Sequence, residues 1–145
     1  MSPRPVPKSA NIFNSLPDRF SRIVVNGVAE AKEWTSVRQT KSYQGNQGVS
    51  DVNSADMRCH QMRPGTSTAT VTAGEKLGFI ANAQITHFGP VQLYLARVPA
   101  NADINTWEPS GNVFFKVGSI DAVKSGSGWE WPAYSMRRTP LLIPA

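Results

Sequence analysis

Hydrophobic residues in this chain come in short alternating runs rather than at helical spacing. Arg22-Ile23-Val24-Val25 is β-branched and stops at Asn26-Gly27. That dipeptide tolerates positive φ at both central positions of a two-residue turn, which predicts a hairpin continuing through Val28 and Ala29. Residues 67–72 alternate small and β-branched side chains. Residues 73–76 then read as a turn and 77–81 as the second strand of another hairpin. Val91, Leu93 and Leu95 fall on one face of a further strand, with Gln92, Tyr94 and Ala96 on the other, and Pro99 ends it. Residues 113–117 make one more short strand. No ten-residue stretch has a clean period of 3.6. Short strands, regular turn signals and no convincing helix predict an all-β, antiparallel β-sandwich.

The two ends and one internal loop break this pattern. Residues 1–19 are rich in proline and serine with little periodicity, as a disordered or non-native leader would be. Residues 33–48 are polar and hold Trp34, Tyr43 and the breakers Gly45, Asn46 and Gly48. A loop this long on a compact β domain is a place where binding is often found. Tyr43 is accordingly a candidate flat contact for a ligand, or a packed loop aromatic. Beyond a Ser/Gly-containing stretch at 124–128 come Trp129-Glu130-Trp131-Pro132 and a segment with two prolines in its last six residues. Those prolines exclude a central strand there.

The chain has 145 residues, the size of one domain. Charged residues are 17% and hydrophobic ones 40% of it, too few charges and too much apolar surface for a disordered tail. Its apolar runs are a few residues long, far short of the roughly 20 needed for a membrane helix, so no membrane association is expected. Fifteen basic against ten acidic residues give +5, but the basic residues are scattered and only Arg137-Arg138 are adjacent. A mildly basic solvated surface accounts for this, and no nucleic-acid partner is expected. The lone Cys59 is a buried thiol or an unpaired half-cystine. Residues 1–16 contain no apolar core of the kind a secretory signal needs.

Chemistry-bearing residues are sparse. There is no Ser-His-Asp spacing, no glycine-rich phosphate loop and no CxxC, which removes ordinary hydrolase and kinase readings. The histidines are His60 and His87. His60 adjoins Cys59, but adjacent strand residues point to opposite faces, so one ion would rarely be held by both. His87 precedes Phe88-Gly89-Pro90, whose Gly-Pro pair allows a sharp turn before a strand and sets the imidazole at an end of the sandwich. An isolated histidine is more often hydrogen-bonded than metal-bound, and a metal site needs further donors at fixed distance.

Several segments taken together resemble a known family. Phe20-Ser21-Arg22-Ile23-Val24-Val25-Asn26-Gly27-Val28, then Trp34 and Arg38, then residues 52–59, 71–77 and 87–99 occur in matching order and spacing. Over about residues 20–117 the chain resembles the N-terminal half of the fungal auxiliary activity family 9 lytic polysaccharide monooxygenases, formerly glycoside hydrolase family 61. The resemblance implies an immunoglobulin-like or fibronectin III-like sandwich, incomplete here. It also implies a secreted, monomeric copper enzyme that cleaves cellulose or related β-1,4-glucans oxidatively at C1 or C4. Such an enzyme draws on an external electron donor and O2 or H2O2. In the family one copper ion, cycling between Cu(II) and Cu(I), is held by three nitrogens, two of them from an amino-terminal histidine. Such a set suits both oxidation states.

Carried over by position, His87 matches the second copper-binding histidine and Cys59 the first half of a disulfide. Tyr43 lies in the loop that shapes the substrate face. The first copper-binding histidine should stand where Pro17 is, and an internal proline nitrogen cannot bind copper. The family's axial tyrosine, oxygen-steering residues and cysteine partner should follow residue 117, and none is recognisable. No catalytic residue is therefore assigned. The expected organisation is a leader at 1–19, a partial monooxygenase domain at 20–123 and an aberrant tail at 124–145, as in a truncated or mis-spliced fragment. This polypeptide as written is expected to be inactive, with a non-catalytic polysaccharide-binding or interaction protein as the alternative.

Overall fold

The computed structural model describes residues 10–13, 18–41, 48–63, 65, 67–136 and 141–144. Among them the regular structure is almost all strand. Strand β1 is Ala10–Phe13, β2 Phe20–Val25, β3 Val28–Ala29, β4 Gln39–Thr40 and β5 Gln61–Arg63. They are followed by β6 Lys76–Ala81, β7 Val91–Ala96, β8 Phe114–Ile120, β9 Val123–Ser125, β10 Gly128–Glu130 and β11 Leu141–Pro144. One helical turn, α1, spans Asp56–Cys59, and a 3-10 turn spans Pro132–Ser135.

A four-stranded sheet runs β11-β6-β2-β3 and a three-stranded sheet β1-β7-β8. Every pairing is antiparallel. The sheets close on each other through Phe20, Ile23, Phe79 and Ala81 from the first and Val91 and Leu93 from the second, with Ile85 and Ala133 in the same buried cluster. This is the expected antiparallel β-sandwich. Each large aliphatic or aromatic side chain buried there contributes about 1.5–3 kcal/mol.

The Asn26-Gly27 hairpin forms as read. Both residues have positive φ, 51° and 84°, and Val25 pairs with Val28. Asn26 also ties this turn to the neighbouring strand. Its N–H donates to the Lys76 carbonyl (2.8 Å) and its Oδ1 accepts from the Lys76 N–H (3.0 Å). Beyond the hairpin the chain runs on along the same edge of β2 that β3 takes, with Glu30 N–H donating to the Ile23 carbonyl (3.0 Å). Trp34 N–H donates to the Ser21 carbonyl (2.8 Å), and the fully buried Ser21 hydroxyl donates to Glu33 Oε1 (2.8 Å). Trp34 is itself buried.

Three readings change. Residues 10–13, read as part of a disordered or non-native leader, form β1 and pair with β7. Residues 67–72 form no strand, because β6 takes β2 on one edge and β11 on the other. Cys59 and His60 are not consecutive strand residues. Cys59 closes α1, and His60 follows in the left-handed region at φ 36°, its N–H donating to the Asp56 carbonyl (2.7 Å). Pro144 is accommodated as expected, since it lies in β11, an edge strand.

Candidate functional site

The β2–β6 ladder positions the site. It runs from Val25 opposite Leu77 to Phe20 opposite Ala81. One further bond, Asn82 N–H to the Arg19 carbonyl (2.8 Å), carries it past the strand ends. Asp18 thereby arrives beside the loop of residues 82–90 that joins β6 to β7. Two anchors hold that loop. Ile85 is buried in the core and its N–H donates to the Met136 carbonyl (3.3 Å). Gly89 adopts φ 155°, a region nearly closed to residues with a Cβ, and Pro90 then leads into β7. His87 and Phe88 stand between these anchors, at the end of the sandwich where the Gly-Pro turn was expected to set the imidazole.

His87 Nδ1 lies 3.4 Å from Asp18 Oδ2. The Asp18 side chain is only 6% exposed, the His87 side chain 36%. A carboxylate facing Nδ1 favours the tautomer with its proton there and leaves Nε2 as the basic nitrogen. The pair thus offers one imidazole nitrogen and one carboxylate. Asp18 escaped the sequence reading, because only the β2–β6 register brings it across from the histidine.

Beside the pair is a group of aromatic side chains that sequence reasoning also missed. Phe88 stacks on Tyr134, with ring centroids 4.5 Å apart and planes 20° from parallel. Tyr134 belongs to the 3-10 turn, which is anchored in the core by Ala133. Trp129 lies on β10 opposite Lys124 of β9, whose Nζ sits 5.3 Å from the indole ring. Phe88, Trp129, Glu130, Trp131, Pro132 and Tyr134 line a concavity of about 320 Å³. Tyr43 lies outside the described residues. Cys59 is placed by its backbone at the end of α1.

The sequence profile of Auxiliary Activity family 9 (formerly GH61) matches residues 18–144. This chain belongs to that family. The family 9 match extends past the 20–117 stretch whose motifs carried the resemblance and takes in strands β9–β11. Among curated relatives, AA9 family lytic polysaccharide monooxygenase C of Malbranchea cinnamomea is 39% identical over 128 residues, covering 87% of this chain and 55% of the relative. Monooxygenase H of the same organism is 37% identical over 128 residues, with the same shares. Monooxygenase E of Thermothielavioides terrestris is 38% identical over 119 residues, covering 81% of this chain and 52% of the relative. The chain therefore spans about half the length of the family 9 relatives it matches.

A copper ion held by three nitrogens can be tested against this donor set. His87 supplies one imidazole, and the group facing it is the Asp18 carboxylate. Among the described residues no three histidine, cysteine, aspartate or glutamate side chains converge. One nitrogen and one carboxylate do not fit that ion, and no chemical step is derived through it.

Proposed function

We propose that this polypeptide binds β-1,4-glucan, cellulose or a close relative, without oxidising it. Its lineage is that of secreted, monomeric monooxygenases that cleave such glucans at C1 or C4 with copper, an external electron donor and O2 or H2O2. His87 stands where that lineage holds copper, Tyr43 belongs to the loop that meets the glucan, and Cys59 is half of its disulfide. The monooxygenase-derived domain then runs past the 20–123 read from the sequence, because the family match covers 18–144 and Ala133 enters the core.

The observation that carries the non-oxidative reading is the His87–Asp18 pair: the imidazole faces a carboxylate at 3.4 Å instead of a second nitrogen donor. Square-planar copper chemistry calls for nitrogen donors that this pair does not supply. The test uses the purified chain with copper, ascorbate and swollen cellulose. Retention on the solid above an albumin control is expected, with no oxidised oligosaccharides in the supernatant. Copper-dependent release of oxidised products would overturn the non-oxidative reading, and absence of retention would overturn glucan binding.

A further inference from the structure

We propose that Asn26-Gly27 is a latent deamidation site, held closed in the folded chain by a clamp from Glu75 and Lys76. It is the one Asn-Gly dipeptide in the sequence. Glycine has no Cβ to shield its amide nitrogen, so in an unconstrained chain that nitrogen reaches the preceding asparagine side chain. Both residues are exposed, and water has access to the turn. In the reaction the Gly27 amide gives its proton to hydroxide and its nitrogen attacks Cγ of Asn26. The new C–N bond closes a cyclic imide and the Cγ–Nδ2 bond breaks. Ammonia leaves with a proton taken from water, which returns the hydroxide. One water then opens the imide at either carbonyl, leaving aspartate or isoaspartate at position 26. The net change is water in and ammonia out, with nothing oxidised or reduced.

The folded turn opposes this reaction twice. Asn26 at φ 51° and Gly27 at φ 84° form a left-handed two-residue turn. In that conformation the bond from the Asn26 carbonyl carbon to Gly27 N points away from the Asn26 side chain. The side-chain amide is also tied at both ends to the neighbouring turn. Its Oδ1 accepts from the Lys76 N–H (3.0 Å) and its Nδ2 donates to Glu75 Oε1 (3.0 Å). Glu75 is fixed in turn, since its Oε2 accepts from the Thr72 N–H (2.7 Å) and its own N–H donates to the Thr72 carbonyl (3.0 Å). Cγ swings toward Gly27 only after both side-chain bonds break, and the bond to Glu75 has a charged acceptor, the stronger kind. Once deamidation has occurred the clamp does not re-form. A carboxylate at position 26 faces the Glu75 carboxylate where a donor had been. Isoaspartate also adds a main-chain atom to a turn whose length sets the Val25–Val28 pairing. The clamp therefore guards the β2–β3 hairpin against a one-way chemical change.

The experiment ages the intact chain in mildly alkaline buffer and samples it over time. Trypsin cuts after Arg22 and Lys32 and releases the peptide 23–32, whose only asparagine is Asn26. Mass spectrometry reads the change from amide to acid, and chromatographic retention separates isoaspartate from aspartate. The folded parent should deamidate at Asn26 about tenfold or more slowly than the same chain in urea beyond its unfolding midpoint. Glu75→Ala removes the acceptor of Nδ2 and should raise the folded rate about tenfold. Gly65→Ala loosens the fold away from the hairpin, where the added Cβ meets the Thr35 carbonyl. It should leave the Asn26 rate within about threefold, because the clamp opens locally. Circular dichroism checks that both variants are folded. Equal rates in the folded and the urea-unfolded parent overturn the closed site, a result that needs no variant. A folded Glu75→Ala chain that deamidates at the parent rate overturns the clamp. Gly65→Ala acceleration equal to that of Glu75→Ala overturns local opening and assigns the protection to the fold as a whole.

Discussion

Replacing Ala133 by Asp tests whether the last described segments are part of the sandwich or merely lie on it. Ala133 is 1% exposed and belongs to the cluster of Phe79, Ile85, Val91 and Leu93, which joins both sheets. A carboxylate placed among these side chains loses its water and meets an apolar wall. An unpaired buried charge costs about 3–5 kcal/mol, whether it stays ionised or takes up a proton to avoid ionisation. At roughly 3 °C per kcal/mol for a chain of this size, the melting midpoint should fall by about 10–15 °C. The turn can instead detach by itself, taking β9 and β10 with it. Opening then becomes about 100-fold more frequent for 3 kcal/mol, and trypsin should cut after Lys124 faster by a similar factor. Differential scanning calorimetry and timed proteolysis separate the two routes. A midpoint within about 2 °C of the parent together with a cleavage rate within threefold would refute the argument, because both routes pass through the burial of Ala133.

Three further expectations follow from single positions. A Cβ at Gly65 would stand 2.7 Å from the Thr35 carbonyl oxygen, so Gly65→Ala should destabilise by about 1–3 kcal/mol in urea unfolding. Asn26→Ala removes side-chain bonds to Glu75 and Lys76 and puts alanine at φ 51°, which should cost about 1–2 kcal/mol by the same measurement. Adding about 10 µM copper should move the melting midpoint by less than about 2 °C, because ligand stabilisation scales with concentration over Kd and the His87–Asp18 donor set is too small for tight binding. A saturable rise of several degrees at one copper per chain would show that the donor set is larger.

What was legible in the sequence was what neighbouring residues decide among themselves. Asn26-Gly27 makes a hairpin because both residues accept positive φ. Gly89-Pro90 turns the chain into β7 for a comparably local reason. Short apolar runs at 77–81 and 113–117 and alternation at 91–96 mark three of the longer strands, although β8 runs on to Ile120. Illegible were the choices of partner between distant segments. Residues 67–72 have the composition of a strand, yet the edges of β6 go to β2 and β11. Asp18 looks like any polar residue before a strand, and only the pairing of Phe20 with Ala81 turns it toward His87. Sequence motif and lineage found the histidine but not the carboxylate facing it.

The segment that read as least characteristic of a sandwich completes the site end of this one. Ala133 enters the core, and the Met136 carbonyl accepts from Ile85 in the β6–β7 loop. These two attachments hold the same loop. Asp18 reaches His87 from the β2 side, and Tyr134 reaches Phe88 from the 3-10 turn. Adjacent residues of one loop are therefore gripped by two segments that are far apart in the chain. Backbone displacement at Ala133 must be felt at Phe88 through the stacked ring, while His87 keeps its separate tie to Asp18. The dependence runs one way: loss of the turn should loosen the Phe88–Tyr134 stack and, through the Ile85–Met136 bond, the loop that carries His87, whereas Asp18→Asn should alter the imidazole and leave the stacked rings in place. Recording the Phe88, Tyr134 and His87 ring resonances on Ala133→Asp and Asp18→Asn distinguishes this arrangement from a single cooperative site, in which Asp18→Asn would disturb the stacked rings as well.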